Sequence, residues 1–357
     1  MTNRMAKTLI VSILLLLDVA AYGGALTDGA AAALDQHRQN QAVHPHWLLS
    51  CDIDGVTVSA LARGSDHSRS FTLHCTYFRD GPRIDVRTVR FDDGRPVRAW
   101  RSIINGWYVS YQVPPAGKLA LSGLFAAEGS QFIGAAMPSG VGALEGYAAG
   151  DYRSFDEIVA TASQVRAIHD TVNGEPCVRV EADSADHGLY TVWFDPKIDY
   201  SPLKIVVQKL AQNYFGGSRL DQWTRLAPGG SRGTVLLRSI SFTMDDAKYD
   251  KQGGRWFPLQ CRVTRVHEYA DGNSETTTMI CKRTALDLNP DLLSAKAFVP
   301  ELREHAPLAN LVDNHLPYQW TNDGPVAQVD EAVVAQMDRT AHTLRQELDN
   351  LGNRRAR

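Results

Sequence analysis

His44-Pro45-His46 places two imidazoles two residues apart, a spacing that puts both on one side of an extended segment and supplies two of the three or four ligands zinc needs. No third ligand stands at a metal-site spacing from them. The pair therefore reads as solvent-facing histidines near the start of a mature chain. Asp52-Ile53-Asp54-Gly55 has the opening of a calcium loop but lacks the acidic residue at position twelve, and reads as a turn. Ser139 is followed by Gly140, yet Met137-Pro138 precedes it where a nucleophile elbow needs glycine. Neither glycine pattern of phosphate-binding loops occurs. The acidic pairs Asp92-Asp93 and Asp245-Asp246 sit in turn contexts, and nothing selects two carboxylates for glycoside hydrolysis. These residues call for no catalysis, no metal and no cofactor.

The five cysteines are Cys51, Cys75, Cys177, Cys261 and Cys281. Cys261 and Cys281 flank a hairpin whose turn lies near Asp271-Gly272-Asn273, so a suitable register brings them opposite each other as a possible disulfide. Five small buried hydrophobic residues is the other reading, and an odd count leaves at least one thiol unpaired in a monomer.

Such residues must be positioned by the rest of the chain. Its 357 residues are 44% hydrophobic and 22% charged, the balance of a globular protein. A net charge of −3 gives no electrostatic case for nucleic acid. Arg83, Arg87, Arg90, Arg95, Arg98 and Arg101 do cluster, but Asp80, Asp85, Asp92 and Asp93 are interleaved with them. Residues 1–25 carry Arg4 and Lys7, an apolar run from Leu9 to Leu17, and then small residues, as a secretory signal peptide does. Export to the periplasm or beyond follows. An uncleaved anchor is the alternative, but the run is shorter than the ~20 apolar residues of a membrane span and Asp18 interrupts it.

Short β-branched and aromatic runs divided by turn residues fill 47–112 and 165–284. They predict about eleven antiparallel strands, because no strand alternates with a long helix. Between 118 and 162 the spacing of Leu119, Leu121, Leu124 and Phe125 predicts a helical insert, with a small-residue loop at 134–144 and a capped helix from Ser154. In Leu189-Tyr190-Thr191-Val192-Trp193-Phe194 both faces are apolar, so both need cover. Asp330 to Leu351 predicts one amphipathic helix through Val334, Met337, Ala341, Leu344, Leu348 and Leu351. It packs on its own domain or, through residues 331–357, on a partner protein.

Gly174-Glu175-Pro176-Cys177, Thr191-Val192-Trp193-Phe194-Asp195-Pro196 and Pro202-Leu203-Lys204-Ile205-Val206-Val207 form a strand, a Trp-x-Asp-Pro turn and a returning strand. With Arg255-Trp256-Phe257-Pro258, Phe298-Val299-Pro300 and Val312-Asp313, this resembles the LolA-like lipoprotein-carrier superfamily of bacterial envelopes. The chain departs from that pattern in its length, in the added carboxy-terminal helix and in Pro300-Glu301-Leu302, where Pro-x-Gly is expected. The resemblance implies a half-barrel of antiparallel sheet curled around helices, with an apolar cavity between them for a lipid or lipoprotein acyl chain.

The fold expected is therefore mainly β (α+β), one large curved antiparallel sheet over residues 26–325 covered by a few helices, with the carboxy-terminal helix in 326–357. Trp107, Tyr111, Tyr190 and Phe194, large apolar residues on regular strands, are the candidate wall of a non-catalytic ligand cavity, with plain core packing as the alternative. A structural or sensory module with a solid interior is the rival function.

Overall fold

The computed structural model describes residues 28–43, 45–60, 66–114, 118–129, 133–136, 142–143, 145–226, 234–311 and 318–328. The expected signal segment and the helix from Asp330 to Leu351 lie outside these residues.

One meander comprises β1 (His46–Ala60), β2 (His67–Asp80), β3 (Arg83–Asp92), β4 (Arg95–Asn105), β5 (Trp107–Gln112) and the short β6 (Gly123–Ala126). A second runs through β7 (Gln164–Val172), β8 (Glu175–Ser184), β9 (Gly188–Asp195) and β10 (Ser201–Leu210). After an excursion made of β11 (Tyr214–Phe215), β12 (Ser218–Arg219) and β13 (Thr224–Leu226), it continues through β14 (Thr234–Gln252), β15 (Arg255–Tyr269) and β16 (Ser274–Asp287). Three short strands close the described chain: β17 (Pro307–Asn310), β18 (Tyr318–Thr321) and β19 (Gly324–Ala327). Among the described residues the named α-helices are α1 (Asp28–Ala42), α2 (Ile133–Ala136) and α3 (Phe155–Ala160).

The pairings place the strands in the order β7-β8-β9-β10-β14-β15-β16-β1-β2-β3-β4-β5-β6-β17-β18-β19. β13 lies beside β14 past the end of β10. Every pair is antiparallel except β6–β17. Among the described residues no pairing joins β7 to β19, so the sheet is open. The tight turns use residues suited to them: Asp93-Gly94 and Asn173-Gly174 have φ of 51° and 73°, and of 53° and 84°, the left-handed pair that matches a two-residue hairpin to strand twist.

The sheet is curled. Helix α1 touches β7 and β8 at one edge and also β15, four positions beyond β8. Strands spaced ~4.8 Å apart put that interval near 20 Å, within reach of this 15-residue helix lying across them. The curl shows in the insert: α2 touches β3 and β4, its Gly134 lies against the Asp151 carbonyl, and the Asp151 carboxylate binds Lys209 of β10, about 29 Å from β3 on a flat sheet. The concave face holds the larger core, in which Trp47, Leu49, Cys51 and Ile53 of β1 alternate with outward residues and meet Leu34 of α1, Phe155 and Ile158 of α3, and Phe194 of β9. A second core lies on the opposite face of β3–β6, where Ile103, Val109, Tyr111 and Phe125 are covered by Phe298, Leu302, Leu308 and Trp320. Large apolar groups on both sides of β4 and β5 are thus covered on both, whereas on β9, where cover on both faces was expected, Leu189 is exposed and Trp193 only half-buried.

Several expectations are corrected. Among the described residues the main sheet has 17 strands instead of about eleven, because short strands such as β6 and β17–β19 leave too few residues for an alternation to register. Asp52-Ile53-Asp54-Gly55 lies within β1 and is no turn. Gly55 makes room there for the Phe71 ring of β2, which an added Cβ would meet at 2.2 Å. Leu124 and Phe125 belong to β6 and not to a helix, while Leu119 and Leu121 are exposed. Asp245 and Asp246 sit in β14 where its register with β15 shifts. Helix α1 was not legible, since its buried stripe consists mainly of the small Ala30 and Ala33, with Leu34 and His37. The capping box of Ser154 and Glu157 at the start of α3 is present as read.

Buried charge ties the insert to the sheet. The Glu145 carboxylate accepts from Arg255 Nη2 and Arg79 Nη1, both at 2.9 Å, while Arg255 also donates to the Gln41 carbonyl at 3.0 Å and lies over the rings of Trp47 and Phe257. Removing one member of a buried ion pair leaves uncompensated charge, worth about 3–5 kcal/mol. Glu145→Ala is therefore expected to lower stability by about that much in urea unfolding monitored by Trp fluorescence, and Glu145→Gln by less.

Candidate functional site

Ile104 of β4, Tyr108 of β5 and Ala126 of β6 point into the concave core. Side chains alternate along a strand, so residues two and four positions away share that face. On β4 these are Ser102 and Trp100, on β5 Ser110 and Gln112, and on β6 Leu124. Ser102 and Ser110 are joined by a 2.9 Å hydroxyl hydrogen bond. Beyond them the face opens into a groove of ≈ 680 Å³, lined by Arg98, Trp100, Ser110, Gln112, Leu124 and Ala309, with Tyr111, Ser122, Gly123 and Pro307 around it. Ala309 is placed beside Leu124 by the parallel pairing of β17 with β6.

The groove is apolar at its centre and polar at its margins. Trp100 is half-buried and Leu124 exposed, so an indole and an isobutyl group stand uncovered on one strand face. Arg98, also exposed, brings a guanidinium to the same surface. Among the described residues the lining holds no carboxylate, imidazole or thiol, and what it offers is apolar surface beside hydroxyl, amide and guanidinium donors. The two serines, Gln112 and Arg98 can orient a polar end; none of them is set beside a base.

The four wall candidates are distributed over both cores. Tyr111 borders the groove, yet its ring is packed in the second core, where its hydroxyl accepts the Glu301 N–H at 2.9 Å. Trp107 lies half-buried on that same face, edge-on to Trp320 with ring centroids 5.5 Å apart. Tyr190 and Phe194 are fully buried in the concave core. Sequence reasoning passed over Arg98, Trp100 and Leu124. Their alternation was visible, but where the helical cover ends was not.

Two other polar clusters are satisfied internally. Lys209 is fully buried; its ammonium donates to Asp151 Oδ1 at 2.9 Å, lies in ion-pair contact 2.7 Å from Oδ2, and donates to the carbonyls of His187 and Tyr214, each at 2.9 Å. Burial lowers its pKa and the Asp151 charge opposes that shift. The cation thereby fastens the 211–223 excursion and the Asp151 segment to β10. Asp85 likewise takes two bonds from Arg101 and the Phe298 N–H, holding the second core's cover. Among the described residues no group of three or more His, Cys, Asp or Glu is arranged to hold a metal ion. No described helix is long and apolar enough to cross a membrane.

No family model matches the sequence, and no curated protein matches it. Among solved structures the chain is similar to one named as an outer membrane lipoprotein-sorting protein domain from Vibrio parahaemolyticus, at 12% identity over 74% of this chain and 97% of that one, with a TM-score of 0.37. It is also similar to a DUF1329 family protein from Desulfovibrio piger, at 14% identity, 76% and 98% coverage and a TM-score of 0.39. A LolA superfamily protein from Nitrosomonas europaea gives 12%, 73% and 94%, and 0.34.

His37 packs between Phe155 and Phe194, with ring centroids 5.3 and 5.8 Å away, and burial pushes its pKa down to about 4. The unfolded chain then takes up a proton below pH 6.5 that the folded chain refuses, so this contribution is fully present above pH 6.5 and is lost as pH falls toward 4. Asp156, raised to about 6 chiefly by burial and partly offset by Arg38, has the opposite sign over an overlapping window. Comparison with His37→Leu isolates the histidine: between pH 7 and pH 5 the wild type is expected to lose about 2 kcal/mol more than the variant in paired urea titrations.

Proposed function

We propose that the protein is an exported, non-catalytic binder of an acyl chain or comparable apolar group, held in the groove on the concave face of β4–β6 and β17. The observation that carries this reading is the groove itself, an apolar-centred space of ≈ 680 Å³ left open among the described residues beside the two packed cores. That volume is within the ~300–1,000 Å³ of small-molecule sites. Burying an alkyl chain is worth about 0.8 kcal/mol per CH₂, so Trp100, Leu124 and Ala309 can supply affinity without elaborate polar recognition. Arg98 suits an anionic head group. Export is supported by Arg4, Lys7 and the Leu9–Leu17 run.

The site differs from a cavity enclosed between sheet and helices, because α1 and α3 pack directly on Tyr190, Phe194 and their neighbours. An acyl chain would lie along the strands past the end of the helical cover. Purified protein is expected to bind a fluorescent fatty acid, with Leu124→Glu weakening binding at least tenfold at an unchanged melting temperature, since Leu124 is exposed. Wild-type protein that takes up no probe, or a variant that binds equally well, would overturn the reading in favour of a protein-contact module. In that event truncation of residues 331–357, followed by a mass measurement in solution, tests for a protein contact through that segment.

A further inference from the structure

Four of the five cysteines form a row across neighbouring strands. Cys261 of β15 is the register partner of Cys281 of β16, and Cys51 of β1 is the register partner of Cys75 of β2. Between them, across the β16–β1 seam, Cys51 faces Arg283 and Cys281 faces Ile53, so Cys51 and Cys281 stand on the diagonal. All four side chains enter the concave core and all are thiols in this structure. The sulfurs are in hydrogen-bonding contact along the whole row, Cys261 with Cys281, Cys281 with Cys51, and Cys51 with Cys75. Four sulfurs in a line do not surround a point, and they make no metal cage.

We infer that this row is the site of two cross-strand disulfides, Cys51–Cys75 and Cys261–Cys281, with Cys177 left as a thiol. Geometry selects the pairing. Direct partners on antiparallel strands have Cα atoms about 4.5–5.5 Å apart, inside the ~4.4–6.8 Å window of a disulfide. Diagonal neighbours lie about 7–8 Å apart and fall outside it. Cys177 stands on β8 opposite Asp170, with no cysteine as its register partner.

Each bond forms by loss of two S–H bonds. A thiolate attacks the disulfide of an oxidant such as oxidised glutathione or a dithiol oxidase, giving a mixed disulfide that the partner thiol resolves. The two electrons and two protons leave with the oxidant as two thiols. Burial and neighbouring sulfurs raise the pKa of Cys51, Cys75 and Cys281 in the folded chain. The exchange therefore belongs to folding, while the strands still admit the oxidant, and the finished bonds are shielded from reductant. The two staples then flank the β16–β1 seam, one on each meander.

The test is refolding of the full chain from denaturant in a glutathione redox buffer, alkylation under denaturing conditions and peptide mapping. Expected are linked peptides for Cys51–Cys75 and Cys261–Cys281, alkylation at Cys177 alone, and a higher melting temperature than that of the reduced chain. Cys75→Ser should leave Cys51 alkylated and the Cys261–Cys281 bond intact. Five alkylated cysteines after oxidative refolding, a dominant Cys51–Cys281 linkage, or four thiols protected by retained zinc would each overturn the inference. None of these readouts depends on a ligand in the groove.

Discussion

The pairing of β1 with β16 is the constraint on which the rest of the structure depends. It runs from Leu48 opposite Asp287 to Ala60 opposite Ser274, with a single irregularity after Ser50. Each meander can form from near neighbours in sequence, but only this seam makes them one sheet. Once it is closed, the insert can bridge the two meanders, α2 touching β3 and β4 while Asp151 binds Lys209 of β10, and the sheet curls around it. A slip of one residue would turn Trp47, Leu49, Cys51 and Ile53 outward and bring Asp52 and Asp54 to the core, so the hydrophobic alternation of β1 sets its register in the sheet.

Curling creates a concave face, and buried charge decides what fills it. Glu145, held by Arg79 and Arg255, anchors the insert, and Lys209 with Asp151 anchors the segment that follows. Each cluster costs desolvation and recovers it through near-complete pairing, so each specifies one placement of a loop that hydrophobic contact alone would leave under-determined. Among the described residues the insert covers Ile104, Tyr108 and Ala126 of β4–β6 and leaves the Trp100–Leu124 end of those strands open. The groove is the remainder of that arrangement, and its polarity follows from strand alternation carried beyond the helical cover.

The strand content, the tight hairpins at Asp93-Gly94 and Asn173-Gly174, the Ser154 cap and the opposition of Cys261 to Cys281 were legible because each rests on contacts a few to some twenty residues apart. Helix α1 was hidden because alanine carries little hydrophobic signal whichever face it occupies. Leu119 to Phe125 showed helical spacing by coincidence; β5 recruited Leu124 and Phe125 into the sheet, and tertiary pairing outweighed local pattern. Tyr190 and Phe194 illustrate the limit of choosing a wall by size alone, since large apolar groups suit a core and a cavity equally.

By itself the sequence determined that this chain builds antiparallel sheet and where its tightest hairpins turn. Those are consequences of residue type, period and short-range turn chemistry, which need no partner to be read. Only the tertiary structure decided which strands meet across the β16–β1 seam, that four cysteines from four strands form one row, and where the helical cover stops. These depend on contacts between residues more than two hundred positions apart, such as Cys51 and Cys281. Register between such distant strands is settled by the joint burial of both faces, a collective condition that no single segment encodes.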